Sequence, residues 1–189
     1  MAESRKDEKY MELWDLYDEN RRPLGQTMAR GEPVEAGCFH QTVEIWTINT
    51  NRKILLTLRD PDKPEYPNLW ECTGGSVLAG ESSLDAAVRE LFEETGIAVQ
   101  KSELTLILSR RKGECFCDSY LLLNQPVPQL LRLQPGETVD ARWVSMPQLE
   151  EMLEAGLIAR PVEESLFAVR EQLERVLAGE PAGGPENSR

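Results

Sequence analysis

The chain has 189 residues, of which 40% are hydrophobic, so its size and composition are those of one globular domain and exclude a wholly disordered or fibrous chain. Its apolar runs fall well short of the ~20 residues that a membrane helix needs, and its charged first residues do not resemble a secretory signal. A formal net charge of −12 argues against a protein that binds duplex nucleic acid, because such proteins usually present a basic face. An acidic protein that handles a phosphorylated molecule needs cations to receive it.

The four cysteines are Cys38, Cys72, Cys115 and Cys117. In a chain without an export signal they are expected to be reduced thiols, which indicates a cytoplasmic protein. The Cys115-x-Cys117 pair has neither the spacing nor the second pair that a zinc site requires. We therefore expect these cysteines to be half-buried strand residues.

The first part of the chain predicts strands and loops. Strands are expected at 12–17, just after Pro23, at 41–48, at 53–58 and at 70–77. The first two form an N-terminal β-hairpin, and the next two are joined by a polar hairpin turn at 49–52. The last stretch is interrupted by the pair Gly74-Gly75 and follows a proline-rich loop that cannot be helical for long.

The second part alternates helices and strands. A helix at 83–95 is capped by Ser82 or Ser83 and ended by Gly96, a residue suited to the left-handed conformation. Further strands are expected at 104–110, 115–123 and 141–144, with helices opened by Pro147 and Pro161 that run to about 155 and 177. No internal repeat or linker is visible. These elements predict one α/β domain, a mixed sheet with helices on both faces.

The helix at 83–95 has two faces. Leu84, Ala87, Val88 and Leu91 fall within about 100° of arc and predict the face that packs on the sheet. Glu90, Glu93 and Glu94 share a second face at i, i+3 and i+4, where like charges repel and where the helix dipole favours cations. Residues that are unfavourable for local structure suggest a functional site.

The surroundings of these acids favour a metal site. Gly74-Gly75 allows a close backbone approach and an exposed carbonyl as a ligand. Arg89 lies beside Glu93 and can hold a carboxylate in place, and Glu81 lies near the helix start. Oxygen ligands without histidine or cysteine suit Mg²⁺ or Mn²⁺, which would also receive an anionic substrate.

The run from residue 75 to 97 resembles the Nudix box, G-x5-E-x7-R-E-U-x-E-E-x-G-U with U aliphatic. Its nine specified positions are all filled, by Gly75, Glu81, Arg89, Glu90, Leu91, Glu93, Glu94, Gly96 and Ile97. The flanking strands and late helix also resemble the family. The resemblance implies a Nudix-type α/β/α sandwich with a mixed sheet over residues 10–178, including the N-terminal hairpin as an extension. Residues 1–9 and the tail 179–189 are expected to be disordered.

The resemblance also implies a MutT-like hydrolase that cleaves a pyrophosphate bond in a nucleoside diphosphate linked to another group. By that resemblance Glu90, Glu93 and Glu94 are metal ligands, the carbonyl of Gly74 is a further ligand, and Glu81 and Arg89 support them. The metal would activate a water, and a carboxylate would take its proton. Glu90 is one candidate for this base.

Outside the box, Glu137 is the first candidate for an extra catalytic acid and Asp140 the second, in a polar loop predicted at 136–140. On the substrate side, Arg59 could pair with a phosphate and Glu81 is a further contact candidate. Trp70 and Tyr66 could stack on a base, but aromatic residues beside a proline-rich loop more often pack against the protein. His40 is expected to be a strand residue with a satisfied side chain, and 110–112 a basic cluster at a hairpin turn.

Two other functions stay open. The segments 14–20, 33–40 and 43–46 are similar to the Nudix branch related to isopentenyl diphosphate isomerase, but the position of the catalytic cysteine holds Gly74-Gly75-Ser76, and Cys72 is two residues too early. The second is a non-catalytic nucleotide-binding module, although such modules often lose a box glutamate.

The expected partner is a small phosphorylated molecule, and the loops at 60–68 and 123–133 are expected to set the selectivity for it. A homodimer through the N-terminal hairpin is a further expectation.

Overall fold

The computed structural model describes residues 12–125 and 131–181. Its strands are β1 (Leu13–Tyr17), β2 (Pro23–Ala29), β3 (His40–Asn49), β4 (Ile54–Arg59), β5 (Trp70–Glu71), β6 (Thr73–Ser76), β7 (Leu104–Lys112), β8 (Cys115–Gln125) and β9 (Thr138–Val144). Its helices are α1 (Ser83–Thr95), α2 (Met146–Glu154) and α3 (Arg160–Ala178). In the described ranges, no helix is both long and apolar enough to cross a membrane.

The main sheet has seven strands and is mixed. Its central order is β5-β4-β3-β8-β7, with β6 paired to β3 and β9 paired to β4. β3 lies parallel to β8 and antiparallel to β6, and β4 is antiparallel to both β5 and β9. β3 and β4 meet where Ile48 lies opposite Ile54. The sheet therefore branches along β3, and β6 brings the glycine pair beside α1.

Helices cover both faces of this sheet, because alternate side chains of each strand point to opposite faces. On β3, Val43 and Ile45 join a core cluster with the buried residues of α1, whereas Trp46 and Ile48 join a second cluster with α2 and α3. The predicted α/β/α sandwich with a mixed sheet is confirmed.

The N-terminal hairpin, β1 with β2, is a separate two-stranded sheet attached to the domain by polar contacts. Arg21 binds both carboxylate oxygens of Asp118, at 2.8 and 2.5 Å, and donates to the hydroxyl of Ser109. Trp14 stacks on His40 with ring centroids 4.4 Å apart. The hairpin is therefore held against β3, β7 and β8.

Three sequence predictions about local structure are wrong. Gly74-Gly75 does not interrupt the strand; the break falls at Cys72, and both glycines pair with β3 inside β6. Positions 110–112 belong to β7, because their backbone pairs with β8 and the turn follows at Gly113. Positions 138–140 belong to β9 rather than to a loop, because they pair with the end of β4.

The other predicted strands and helices agree with the structure to within a few residues. Pro147 and Pro161 lie in the first turns of α2 and α3, as predicted, and Ser145 caps α2. The expected disorder at 1–9 lies outside the described residues, as does most of the tail 179–189. Gly179 ends α3 with a φ of 94°.

Candidate active site

The acidic helix α1 is positioned by its ends and its apolar face. The Ser82 side chain accepts the backbone N–H of Asp85, and Gly96 ends the helix with a φ of 75° while its N–H donates to the carbonyl of Phe92. The buried residues Ala86, Ala87 and Leu91 pack against the sheet. This packing turns the glutamates of α1 toward β6 and the adjoining loops.

Arg89 holds three of the box carboxylates. Its Nε and Nη2 donate to the two oxygens of Glu81 at 3.0 and 2.9 Å. Its Nη1 donates to Glu90 at 2.8 Å and to Glu93 at 3.1 Å, and Nη2 also reaches the carbonyl of Ser76 at 3.0 Å. Burial alone would lower the pKa of Arg89, but the carboxylates of Glu81 and Glu90 raise it overall. Arg89 is therefore a charged clamp between α1 and β6.

Glu94 is the most buried of these carboxylates. It is 6% exposed, and its Oε2 atom is buried without a hydrogen-bond partner among the described residues. Burial raises its pKa well above the ordinary value, and the carboxylates of Glu71, Glu90 and Glu137 raise it further. Burial also raises the pKa of Glu90 to about 7, although Arg89 acts in the opposite direction. Burial therefore makes the ionised form of both carboxylates costly unless a cation joins them.

The glycine pair allows α1 to approach β6. A Cβ on Gly75 would lie 2.1 Å from Oε1 of Glu90, and a Cβ on Gly74 would lie 2.5 Å from the carbonyl oxygen of Val43. Neither position tolerates a side chain without movement of its neighbour. A backbone hydrogen bond from Gly74 partly lowers the pKa of Glu94. The backbone of β6, without side chains at either glycine, therefore leaves room for Glu90 and donates a hydrogen bond to Glu94.

These residues fit a hard divalent cation. Their donors are carboxylate and carbonyl oxygens, the ligands that Mg²⁺ and Mn²⁺ prefer, and the buried unpartnered oxygen of Glu94 lacks the positive partner that buried charge requires. Yet no three acidic, histidine or cysteine side chains of the described ranges already converge on one point. Arg89 holds Glu90 and the half-exposed Glu93 while Glu94 points inward, so the predicted convergence of the three acids is not preformed.

The cleft beside α1, about 170 Å³ in volume, is lined by further charged residues from loops and other strands. Arg59, at the end of β4, donates to both oxygens of Glu71 at 2.8 and 2.9 Å. Lys63, from the proline-rich loop, pairs with Glu137, which precedes β9. The structure thus brings Arg59 and Glu137 to the box residues, and both are already paired with an opposite charge.

Sequence reasoning missed five polar residues that line or adjoin the cleft. They are Glu12 and Arg30, which flank the N-terminal hairpin, and Lys63, Glu71 and Gln134. Arg30 donates to Glu12 at 2.8 Å. Lys63 could have been found from the sequence, because it is a cation in the loop at 60–68, which was already expected to set substrate selectivity. The pairing of Arg59 with Glu71 follows from the register of β4 with β5, which local sequence does not reveal.

Other candidates lie elsewhere. Trp70 is 5% exposed in the core, with the guanidinium of Arg142 4.0 Å from its ring centroid, so its predicted stacking on a base is wrong. Asp140 is exposed on β9 outside the cleft lining, and Tyr66 also lies outside it. His40 is not satisfied as expected, since its Nδ1 is buried without a partner among the described residues.

All four cysteines are free thiols, as expected. Cys72 is 4% exposed and belongs to the core cluster on the α2–α3 face, whereas α1 packs on the other face. Burial raises the pKa of its thiol well above the ordinary value. Cys72 is therefore an inert core residue and does not face the acidic cleft.

Comparison with known proteins adds independent evidence. A family model described as the NUDIX domain matches residues 39–186. An uncharacterized Nudix hydrolase of Listeria monocytogenes is 36% identical over 147 residues, which cover 77% of this chain and 87% of that protein. A crystal structure from Deinococcus radiodurans aligns with a TM-score of 0.65 and 22% identity, covering 78% of this chain and 92% of the other.

A second solved structure is a bifunctional NMN adenylyltransferase/ADP ribose pyrophosphatase from Francisella tularensis, complexed with AMP and a Mn ion. It aligns with a TM-score of 0.58 and 22% identity over 77% of this chain and 43% of that one. These two structures share the fold. The family match covers most of the chain and includes the complete box around Arg89, so this chain belongs to the Nudix family of pyrophosphohydrolases.

Proposed function

We propose that the chain hydrolyses a pyrophosphate bond in a nucleoside diphosphate derivative, or a related diphosphate, with Mg²⁺ or Mn²⁺ as cofactor. The observation that carries the proposal is Glu94, a buried carboxylate with an unpartnered oxygen beside Glu90. A protein gains no stability from this arrangement unless a cation joins it. Glu90, Glu93, Glu94 and the Gly74 carbonyl would hold that cation.

When bound, such ions neutralise phosphate charge and lower the pKa of a bound water. The chain itself orients the groups around them. Arg89 fixes Glu90 and Glu81 through charged hydrogen bonds, which limits the positions that these carboxylates sample before an ion binds. Glu81 also accepts the backbone N–H of Leu78, which ties this clamp to the loop before α1.

For the general base we propose Glu137, with Glu90 as the alternative inside the box. Glu137 comes from a different part of the chain and lines the same cleft. Its partner Lys63 keeps the carboxylate ordered at the edge of the cleft. Asp140 is not retained, because it lies outside the cleft lining.

Arg59 and Lys63 would bind the substrate's phosphates. Both line the cleft as parts of ion pairs with carboxylates, and an arriving phosphate can take over one hydrogen bond of either cation. Arg30, which flanks the hairpin, is the most exposed cation of the lining and would meet the outer part of the substrate. The net charge of −12 is then no obstacle to an anionic ligand.

The test is a hydrolysis screen with and without Mg²⁺ over ADP-ribose, dinucleoside polyphosphates, nucleoside triphosphates and prenyl diphosphates. Isotope-labelled water would show which phosphorus is attacked. We expect metal-dependent cleavage that Glu94→Gln lowers by at least about a hundredfold while the fold is kept. Full turnover by Glu94→Gln on the same substrate would contradict the metal assignment.

The same screen addresses the two other functions. Incubation with isopentenyl diphosphate would reveal an isomerase, but burial of Cys72 in the opposite core argues against it. Binding of a nucleotide without release of phosphate would indicate a non-catalytic module. The complete set of box glutamates and the clamp at Arg89 favour hydrolysis.

A further inference from the structure

The outer face of α3 carries an unusual aromatic residue. Phe167 is 88% exposed, the highest exposure of any large hydrophobic residue in the described ranges. It borders a groove of about 550 Å³ between α2 and α3, with Leu153 and Leu166 in its lining. An exposed aromatic side chain beside an apolar groove is typical of a protein–protein contact.

We propose that this face binds a second copy of the chain, with the two α3 helices antiparallel and the two Phe167 side chains packed against each other where they border the grooves. The inference goes beyond the hydrolytic function and differs from a dimer through the N-terminal hairpin. A two-fold contact uses the same patch on both subunits, so the patch must be complementary to itself. The charges around Phe167 meet that condition.

The complementarity can be traced along the helix. Arg160 lies seven residues before Phe167 and Glu174 seven residues after it, so a two-fold axis at Phe167 places these opposite charges close together. Glu163 and Arg170 lie four residues before and three after, on the same side of the exposed stripe. The axis therefore brings Glu163 of each copy toward Arg170 of the other. On the other side of the stripe it brings Glu164 toward Glu171, and this like-charged pair opposes the two attractive ones.

The present partners of these side chains do not prevent such a contact. Arg160 pairs with Glu164, and Arg170 pairs with Glu174 and Glu150, all between side chains that are at least 40% exposed. Exposed ion pairs contribute little stability and exchange readily. Glu163 and Arg170 are two helical turns apart, too far to pair within one chain, so any attraction between them is intermolecular.

The first test is sedimentation velocity of the full chain from about 1 to about 200 µM, a range that covers weak and moderate dimers. We expect a concentration-dependent dimer, which Phe167→Glu weakens by at least about a hundredfold because two aromatic side chains are lost per dimer. The matched control is Leu24→Glu, a 39% exposed leucine on the N-terminal hairpin, which should leave the dimer unchanged. Unfolding curves would show that each variant keeps its fold.

The second test exchanges the charges. Arg170→Glu and Glu163→Arg should each weaken the dimer by about tenfold, and the double variant should regain most of the lost affinity, because it restores opposite charges across the axis. A chain that stays monomeric over the whole range overturns the proposal. So does a dimer that Phe167→Glu leaves intact, one that only Leu24→Glu disrupts, or a double variant as weak as its parents.

Discussion

The buried carboxylate of Glu94 is surrounded mainly by other carboxylates and by the backbone of Gly74. Burial without a hydrogen-bond partner for Oε2 costs free energy that the fold must recover elsewhere. The half-exposed Glu93 one residue away carries the same charge at little cost, because water and Arg89 solvate it. Of these two neighbouring glutamates, the buried Glu94 therefore indicates a functional role, whereas Glu93 carries a charge that the surface tolerates.

This contrast predicts a trade-off between stability and activity. In chelator at about pH 8, Glu94→Gln should raise the free energy of unfolding by about 1–3 kcal/mol, because the buried charge is removed and the shape is kept. Glu93→Gln is the matched control and should change it by less than about 0.5 kcal/mol. Urea unfolding would measure both. A Glu94→Gln variant that is less stable than the wild type would contradict this view of the site.

Gly75 gives a second prediction, based on shape. Gly75→Ala adds a Cβ that would lie 2.1 Å from Glu90 Oε1, so Glu90 must leave its place in the clamp of Arg89. We expect kcat to fall about a hundredfold and Mn²⁺ binding, measured calorimetrically, to weaken. Ser76→Ala on the same strand is the control, because Arg89 contacts the Ser76 backbone and not its side chain. Equal losses in both variants would show a general effect on β6.

Individual residues were predictable where a local pattern specifies them. The position of Arg89 beside Glu93 predicted that it holds a carboxylate, and it does, although its contacts with Glu81 and Glu90 were not predicted. The partners of Arg59 and Lys63 were not predictable, because they lie on strands and loops that only the sheet register brings together. Trp70 failed as a candidate because burial in the core is set by contacts with distant helices.

At the scale of elements, α1 was predicted to the residue because cap, apolar face and terminal glycine agree with one another. The stretch at 70–77 was less predictable. Its two short strands belong to different parts of the sheet, since β5 pairs with β4 and β6 with β3. A local pattern identifies extended backbone but does not indicate which neighbour each segment will choose.

The attachment of the N-terminal hairpin is the element-scale prediction. Burial alone would raise the pKa of Asp118, but hydrogen bonds from Arg21 and Ser109 outweigh it and leave the pKa below the ordinary value of 3.8. A lowered carboxyl pKa stabilises the fold at pH values above the unfolded pKa, and this contribution is lost as pH falls through the folded pKa. The ion pair should therefore stabilise the protein at neutral pH and not in strong acid.

Arg21→Gln tests this attachment. At pH 7 it should lower the free energy of unfolding by about 2 kcal/mol, because it leaves the 3% exposed Asp118 without its cation, and the difference should shrink as pH falls below 3.8 and the carboxylate is protonated. Arg22→Gln, at the exposed neighbouring position, should have almost no effect at either pH. Denaturant unfolding at both pH values is the measurement. A loss that persists unchanged in acid would assign the effect to packing.

At the scale of the whole molecule, the sheet separates two surfaces with different chemistry. The α1 face carries the acidic cleft, and the α2–α3 face carries the exposed aromatic residue and its groove. Each core cluster supports its own surface with its own helices and with alternate side chains of the same central strands. Substitutions in one should leave the other intact, which makes oligomeric state and hydrolysis separable measurements.

The net charge of −12 gives the last prediction. Self-repulsion destabilises a compact acidic chain, so NaCl should raise the melting temperature of the metal-free protein gradually by screening. A few millimolar Mg²⁺ should raise it further at equal ionic strength, because an ion that binds only the folded state stabilises it by mass action. Glu94→Gln should remove the Mg²⁺ effect and keep the NaCl effect, since screening acts on every surface charge and binding on one site. A melting temperature that depends on ionic strength alone, whichever the salt, would mean that the acids of α1 contribute only to the general charge of the protein.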